Sequence, residues 1–359
     1  MIIKNIKYIK YRLPLRQPIL TSKFKLNERS GLIIRLEDSN GNIGYGEASP
    51  LDGFSNETLD EAENEIKSFI NQNVDFNVEF DPTTKTYKSA NTDIKSPSFS
   101  LAFEQALFSL MLVSGYSSLE SFGLEAIHEI KFNGLVDITG ESNTLERIEG
   151  LLKQGFDTIK LKIGRENFHD DLNLLKSIDA RFGNGVNLRL DVNGKWSKEE
   201  AVENLNGLDG FNIEYVEQPC KKLEDLISLL NHSPVKIAVD ESIKNINQLN
   251  DLVNTSAFTN IVVKPMQLGN FFELIRIIER AKDSGKNIIL SSTFETNLGK
   301  LVLLFLSQFG DHKICHGFAT DGIFEKNILD SPFVFKSAKI TFSKKMLTGK
   351  LNLELLFNE

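Results

Sequence analysis

From about residue 130 the chain repeats one unit: a short apolar run, a polar hinge, a stretch with helical period, then another apolar run. The runs are FNGLVDI at Phe132, DTIKLKIG at Asp157, VNLRLDVNG at Val186, FNIEYVEQP at Phe211, VKIAVDES at Val235, TNIVVKPM at Thr259 and NIILSST at Asn287. Helical stretches such as NTLERIEGLLKQG, SKEEAVENLNGL and FFELIRIIERAKDSG lie between them. Strands that alternate with helices predict a parallel sheet. Seven or so consecutive units of about 25 residues favour closure into a (β/α) barrel of about eight strands over an open doubly wound sheet. The expected fold is therefore α/β, a modified TIM-like barrel over residues 121–330.

The first 120 residues have a different texture. Alternation in Ile2 to Leu13 reads as a strand, and GLIIRLEDSNGNIGYGEAS reads as a hairpin around Ser39 to Asn42. Asn56 to Gln72 has a capping-type start and apolar residues at helical spacing. Ser98 to Val113 is apolar nearly all round, which predicts a buried helix. Together these make an α+β capping domain, with TSKFKLNERSG at residues 21–31 as a lid loop. Residues 331–359 are expected to pack back on this domain.

Charge and composition narrow the function. Lys plus Arg total 41 against 49 Asp plus Glu, a net charge of -8, so the long-range field repels phosphate backbones and anionic headgroups. Neither nucleic acid nor membrane is an expected partner. No apolar run approaches the roughly 20 residues that span a bilayer, and Lys residues interrupt the N-terminal run where a secretory signal would be continuous. Cys220 and Cys315 are the only cysteines and are not in CxxC spacing, as suits reduced thiols in the cytoplasm.

Buried parallel strands should be almost continuously apolar, yet five successive runs end in charge: Lys160 and Lys162, Asp191, Glu217, Asp240, then Lys264. Successive groups are separated by 23 to 29 residues, one unit each, so all should meet at the C-terminal mouth where barrel enzymes build their sites. A single acid at a strand end is more often a helix cap. A solvated rim would mix signs, however, whereas here three acids are flanked by lysines. Three carboxylates without His or Cys suit a hard divalent cation, Mg²⁺ best. Two lysines on opposite sides of it suggest proton abstraction next to a carboxylate. Period 2 puts Lys160 and Lys162 on one face, where each depresses the other's pKa. The same rule places Arg189 and Asn193 beside Asp191, within reach of substrate or ordered water. His316, without a placed partner, reads as structural.

In KLK, Asp191, Glu217, Asp240 and Lys264 the chain resembles the enolase superfamily, in its muconate-lactonizing-enzyme subgroup, whose pattern is KxK, then Asp, Glu and Asp on the next three strands, then Lys. GEASPLDGFSNET at Gly46 to Thr58 is similar to that subgroup's capping domain. Together with RLDVNGKW, VVKPMQLG and SSTFETNLG it looks most like the o-succinylbenzoate synthase branch, which serves menaquinone biosynthesis. The resemblance implies syn dehydration of a small-molecule carboxylate carrying a succinyl side chain. Lys162 would act as base and then acid, and Lys264 as a positive charge on the opposite face. Lys160 would support Lys162, and Asp191, Glu217 and Asp240 would hold Mg²⁺ against an enediolate. It also implies backbone donors to the succinyl group at Ser291 and Gly317. N-acylamino acid racemases and dipeptide epimerases use the same groups; SSTFET, with Glu295 alone, lacks the acidic pair of the epimerases.

Overall fold

The alternating N-terminal run forms one long strand. The structure is a computed structural model that describes residues 1–20, 25–72, 76–89, 93–124, 128–320, 322–330, 338–343, 346 and 349–357. In it β1 (Ile2–Leu20) pairs antiparallel with β2 (Lys25–Asp38), which turns at 39–42 into β3 (Ile43–Ala48). The Asp38 carboxylate holds that turn by accepting from the N–H groups of Asn40 (2.8 Å) and Asn42 (2.9 Å). Of the segment expected as a lid, residues 21–24 lie outside the described residues. Lys25 to Gly31 is already strand, with Leu26 opposite Ile19 and Gly31 opposite Tyr11.

Helix α1 (Leu59–Gln72), the hairpin β4 (Phe76–Asp81) and β5 (Thr86–Ser89), and helix α2 (Pro97–Val113) complete the first domain, whose sheet order is β3-β2-β1-β4-β5. Helix α2 starts where Ser96 accepts the Phe99 N–H and Pro97 takes the first helical position. It is buried over most of its length because it lies between this sheet and the barrel. Its backbone rests directly on β3: a Cβ at Gly46 would stand 1.9 Å from the Ala102 carbonyl oxygen, and one at Gly44 2.1 Å from that of Ala106. Only glycine permits that approach. On the other side Phe108 of α2 meets Phe271 and Phe305 of the barrel.

The repeat then appears as β6 (Glu129–Phe132), β7 (Gly134–Val136), α3 (Glu141–Lys153), β8 (Thr158–Lys162), α4 (Phe168–Phe182), β9 (Asn187–Asp191), α5 (Lys198–Asn206), β10 (Ile213–Glu217), α6 (Leu223–Leu229), β11 (Ile237–Val239), α7 (Ile246–Asn254), β12 (Asn260–Val263), α8 (Pro265–Leu268), α9 (Phe271–Asp283), β13 (Asn287–Leu290), α10 (Asn297–Leu306) and β14 (Cys315–His316). Strands β7 to β13 form one parallel sheet in chain order. Its edges are joined through β14, which runs parallel to β6 and bridges to the end of β13 between Ser291 and Gly317. With β6 and β7 as one interrupted strand, eight strands close the ring. Inside it Tyr215, Ala238, Val262, Ile289 and Ile314 form a buried cluster of their own, the barrel's floor.

The remaining strands are β15 (Leu329–Asp330), β16 (Lys339–Thr341), β17 (Lys350–Leu351) and β18 (Leu356–Phe357). Strand β16 pairs with β6 and β17 with β15, and β18 adds to β1, so the end of the chain joins the first domain's sheet. Among the described residues no helix is long and apolar enough to cross a membrane.

Candidate active site

The register of the parallel sheet decides which side chains share a level. Lys162 stands opposite Asp191, and Asp191 opposite Glu217, so these three belong to one layer directly above the floor. Asp240 follows the end of β11 and Lys264 the end of β12. Eight strands place β8 and β12 half a turn apart, so Lys162 and Lys264 face each other across the mouth.

Three acids are thereby drawn into an almost dry place: Asp191 is 3%, Glu217 1% and Asp240 6% exposed. Buried carboxylates need partners, and the lysines supply them. Lys160 Nζ lies 2.7 Å from Glu217 Oε1 and 3.0 Å from Asp191 Oδ2, while Lys264 binds both oxygens of Asp240. Burial, with Asp191 and Asp240 alongside, pushes the Glu217 carboxyl well above the usual range, despite Lys160. Burial works against ionisation of Asp240 too, but Lys264 holds its carboxyl below the ordinary value. Burial also opposes the charged form of Lys160 and Lys264, and the surrounding carboxylates more than offset it, so both stay protonated. Lys162 is exposed at the mouth and makes no ion pair among the described residues.

The loops behind these strands are tied to one another. Asn193, at φ +53, donates its backbone N–H to Asp191 Oδ1 (3.1 Å) and its side-chain amide to Glu241 Oε1 (2.8 Å). Gln218, at φ +43, accepts from the N–H groups of Asp240 (2.9 Å) and Ser242 (3.2 Å). Asn193 therefore braces the metal-candidate loops rather than projecting freely. Neither Gln218 nor Glu241 was marked by the sequence pattern. Both follow the last paired residue of a strand, where alternation stops predicting direction. Glu241 Oε2 is buried without a partner, and burial beside Asp240 raises this carboxyl.

Three expected positions come out differently. Arg189 faces inward, as period 2 requires, but at floor level. Its guanidinium donates to Glu214 (2.7 and 3.1 Å), to Asn133 Oδ1 (3.1 Å) and to the Cys315 carbonyl (2.6 Å), above the Tyr215 ring. It is a strut of the barrel, turned away from the mouth. Ser291 and Gly317 do stand at the mouth, yet their backbone donors are spent within the sheet: the Ser291 N–H extends the β12–β13 ladder to the Val263 carbonyl (2.9 Å), and the Gly317 N–H closes the ring on that of Leu290 (2.8 Å). What remains for a ligand there is hydroxyl, not amide. His316 is structural as expected: its Nδ1 accepts the Leu290 N–H (3.1 Å), and burial pushes the ring down to about 3.

The donor chemistry fits a hard divalent cation: three buried carboxylates of mutually unfavourable charge, an orphaned carboxylate oxygen beside them, and no nitrogen or sulfur ligand. As the side chains lie, no trio of such groups among the described residues stands at ligand spacing; Lys160 bridges Asp191 and Glu217, and Lys264 pairs with Asp240.

Comparison with known proteins agrees with this architecture. Residues 143–346 match the family model for "Enolase C-terminal domain-like" and residues 3–94 that for "MenC, N-terminal domain". The chain is 27% identical over 332 residues to the chloroplastic protein PHYLLO of Arabidopsis thaliana, covering 86% of this chain and only 19% of that protein. It is 26% identical over 318 residues to the L-Ala-D/L-Glu epimerase of Bacillus subtilis, 83% of each chain. It is 25% identical over 359 residues to the o-succinylbenzoate synthase of Desulfotalea psychrophila, 90% of this chain and 95% of that one. Among solved structures, o-succinylbenzoate synthase from Thermosynechococcus elongatus BP-1, complexed with Mg in its active site, superposes with a TM-score of 0.72 at 24% identity over 92% of this chain and 96% of that chain. A barrel that sets lysines across three buried acids, and a family model that matches more than half of its residues, establish that the chain belongs to the enolase superfamily.

Proposed function

We propose that this enzyme is an o-succinylbenzoate synthase, converting 2-succinyl-6-hydroxy-2,4-cyclohexadiene-1-carboxylate to 2-succinylbenzoate and water. The observation that favours this over reactions on free amines is the position of Glu295. Its carboxylate is buried and accepts from the Thr293 N–H (2.7 Å) and hydroxyl (3.1 Å). Both bonds are to Oε2, and Oε1 is buried without a hydrogen-bond partner among the described residues; with Glu295 only 3% exposed, the 291–296 loop presents no exposed acid to a substrate ammonium, and Ser291 offers a hydroxyl instead. The match of residues 3–94 to the MenC N-terminal domain supports the same choice.

Lys162, unpaired at the mouth, is the proposed base. In its neutral form it takes the proton on the carbon bearing the carboxylate; the C–H electron pair forms the new ring double bond as the C–O bond on the same face breaks. Lys162 then returns that proton to the departing hydroxide, giving water. Lys264, across the mouth, contributes a fixed positive charge over the anionic ring. Asp191, Glu217 and Asp240 would hold Mg²⁺, with Lys160 and Lys264 released from them; the bound ion supplies positive charge to the substrate's carboxylate oxygens. Lys160, on the same strand face, is the proposed support for Lys162.

The test is to supply the cyclohexadiene carboxylate with Mg²⁺ and follow the aromatic product. A second reading, 1,1-proton transfer on an N-acyl amino acid, is favoured by the lysines on opposite sides of the barrel mouth, since that reaction needs a base and an acid on opposite faces of one carbon. It is tested with N-succinyl amino acids in deuterated water: α-deuteration faster than dehydration would replace the first reading by the second.

A further inference from the structure

We propose that Arg29 is a positioning residue for the substrate pocket, clamping the first domain to the loop after β13 so that Phe294 is held as an apolar wall of the mouth. This rests on the reading of the mouth as the active site. Arg29 is 3% exposed on β2, within the segment that the sequence marks as loop. Its guanidinium donates to carbonyls from both domains: Ser49 and Pro50 (2.8 Å) on one side, Phe294 (3.3 Å) and Thr293 (3.4 Å) on the other. No carboxylate among the described residues forms an ion pair with it. A buried cation satisfied only by main-chain oxygens fixes backbone, since each carbonyl must stay where the rigid fork can reach it.

The backbone that it fixes is strained. Phe294 sits at φ +62, a conformation that costs a bulky side chain free energy and persists only where the surroundings over-determine it. Here they do. The Phe294 N–H donates to Ser292 Oγ (3.0 Å), the Thr293 N–H to Glu295, and both carbonyls accept from Arg29. The ring is half-buried and, among the described residues, is not one of the apolar side chains packed on the main core. An aromatic side chain held at a strained position three residues beyond Ser291, outside the packed core, has the properties of a ligand-contacting wall. A flat, apolar cyclohexadiene ring is the matching surface.

The experiment compares Arg29→Lys, which keeps the charge but loses the fork, and Phe294→Gly, which releases the strain and removes the ring. Dehydration kinetics, calorimetric binding of 2-succinylbenzoate with Mg²⁺, thermal midpoints and amide exchange are measured on the full chain. Each variant should raise KM and the product Kd by about tenfold or more with kcat within about threefold, as expected for lost positioning. Phe294→Gly should not lower the thermal midpoint. Arg29→Lys should speed exchange at residues 292–296 and not in β8 to β13. Unchanged KM and Kd in both variants, or exchange accelerated uniformly through the barrel, would overturn the proposal. If the parent enzyme neither turns over nor binds these compounds, the proposed reaction fails, and local exchange in Arg29→Lys still decides whether the clamp exists.

Discussion

Lys160 Nζ stands 2.7 Å from Glu217 Oε1 and also reaches Asp191, so one ammonium holds two of the three buried acids together. Removing one partner of a buried ion cluster leaves like charges uncompensated, at about 3–5 kcal/mol. Lys160→Met should accordingly lower the stability of the metal-free protein by about that much. A divalent cation can take over the lost positive charge, so millimolar Mg²⁺ should restore more stability to the variant than it adds to the parent. Thermal unfolding of both proteins with EDTA and with Mg²⁺ checks this; equal Mg²⁺ shifts would mean that the acids do not form the cation site.

Lys162 makes no ion pair among the described residues, and its loss should act on chemistry alone. Lys162→Ala should lower turnover of the cyclohexadiene carboxylate by about 10²–10⁴-fold, the range for a general base. The circular dichroism spectrum and the Mg²⁺ affinity should stay at parental values. Near-normal turnover in this variant would remove the base assignment.

The spacing of Asp191, Glu217, Asp240 and Lys264 was legible because each unit of a closed barrel ends at the same mouth, so separation along the chain translates into adjacency around a ring. Height inside that ring is not encoded in spacing. Arg189 shares Asp191's face, and it took the register against Tyr215 and the acceptors on Glu214 and Cys315 to place it on the floor. Ser291 and Gly317 come out differently for a related reason: each follows the end of a short strand, where no period is left to read, yet the Ser291 N–H continues the β12–β13 ladder to Val263 and the Gly317 N–H bonds Leu290 to close the ring. Arg29 and Glu47 act between domains, where neither periodicity nor local motif reports a partner.

Glu47 makes another buried join between the domains. From β3 it accepts from Tyr11 Oη (2.6 Å), Ser49 Oγ (2.8 Å), the Thr296 N–H (3.1 Å) and hydroxyl, and the Gly299 N–H (2.8 Å), so an acid of the first domain caps the N-terminus of α10. A carboxylate is favoured there by the helix dipole as well as by its donors. Glu47→Ala would orphan several buried donors at once and should cost about 3–5 kcal/mol. A shift of the urea midpoint corresponding to less than about 1 kcal/mol at unchanged slope would show that the domains do not depend on this cap.

Glu104 predicts how stability responds to pH. It lies on α2, accepts the Phe272 N–H (2.9 Å) at the start of α9, and is pushed by burial from 4.5 to about 7, with Tyr87 and Arg276 opposing the shift. Below pH 4.5 the folded and unfolded chains both carry its proton and it contributes no pH dependence. Between 4.5 and 7 the unfolded chain releases a proton that the folded one keeps, so stability falls as pH rises, and above 7 the whole penalty is present. Glu104→Gln retains an oxygen for the Phe272 N–H and cannot ionise. It should be more stable than the parent by on the order of 2 kcal/mol at pH 8, with the gap closing towards pH 4. Chemical denaturation across that range measures the difference directly, and a gap independent of pH would mean that this carboxyl does not titrate in the folded protein.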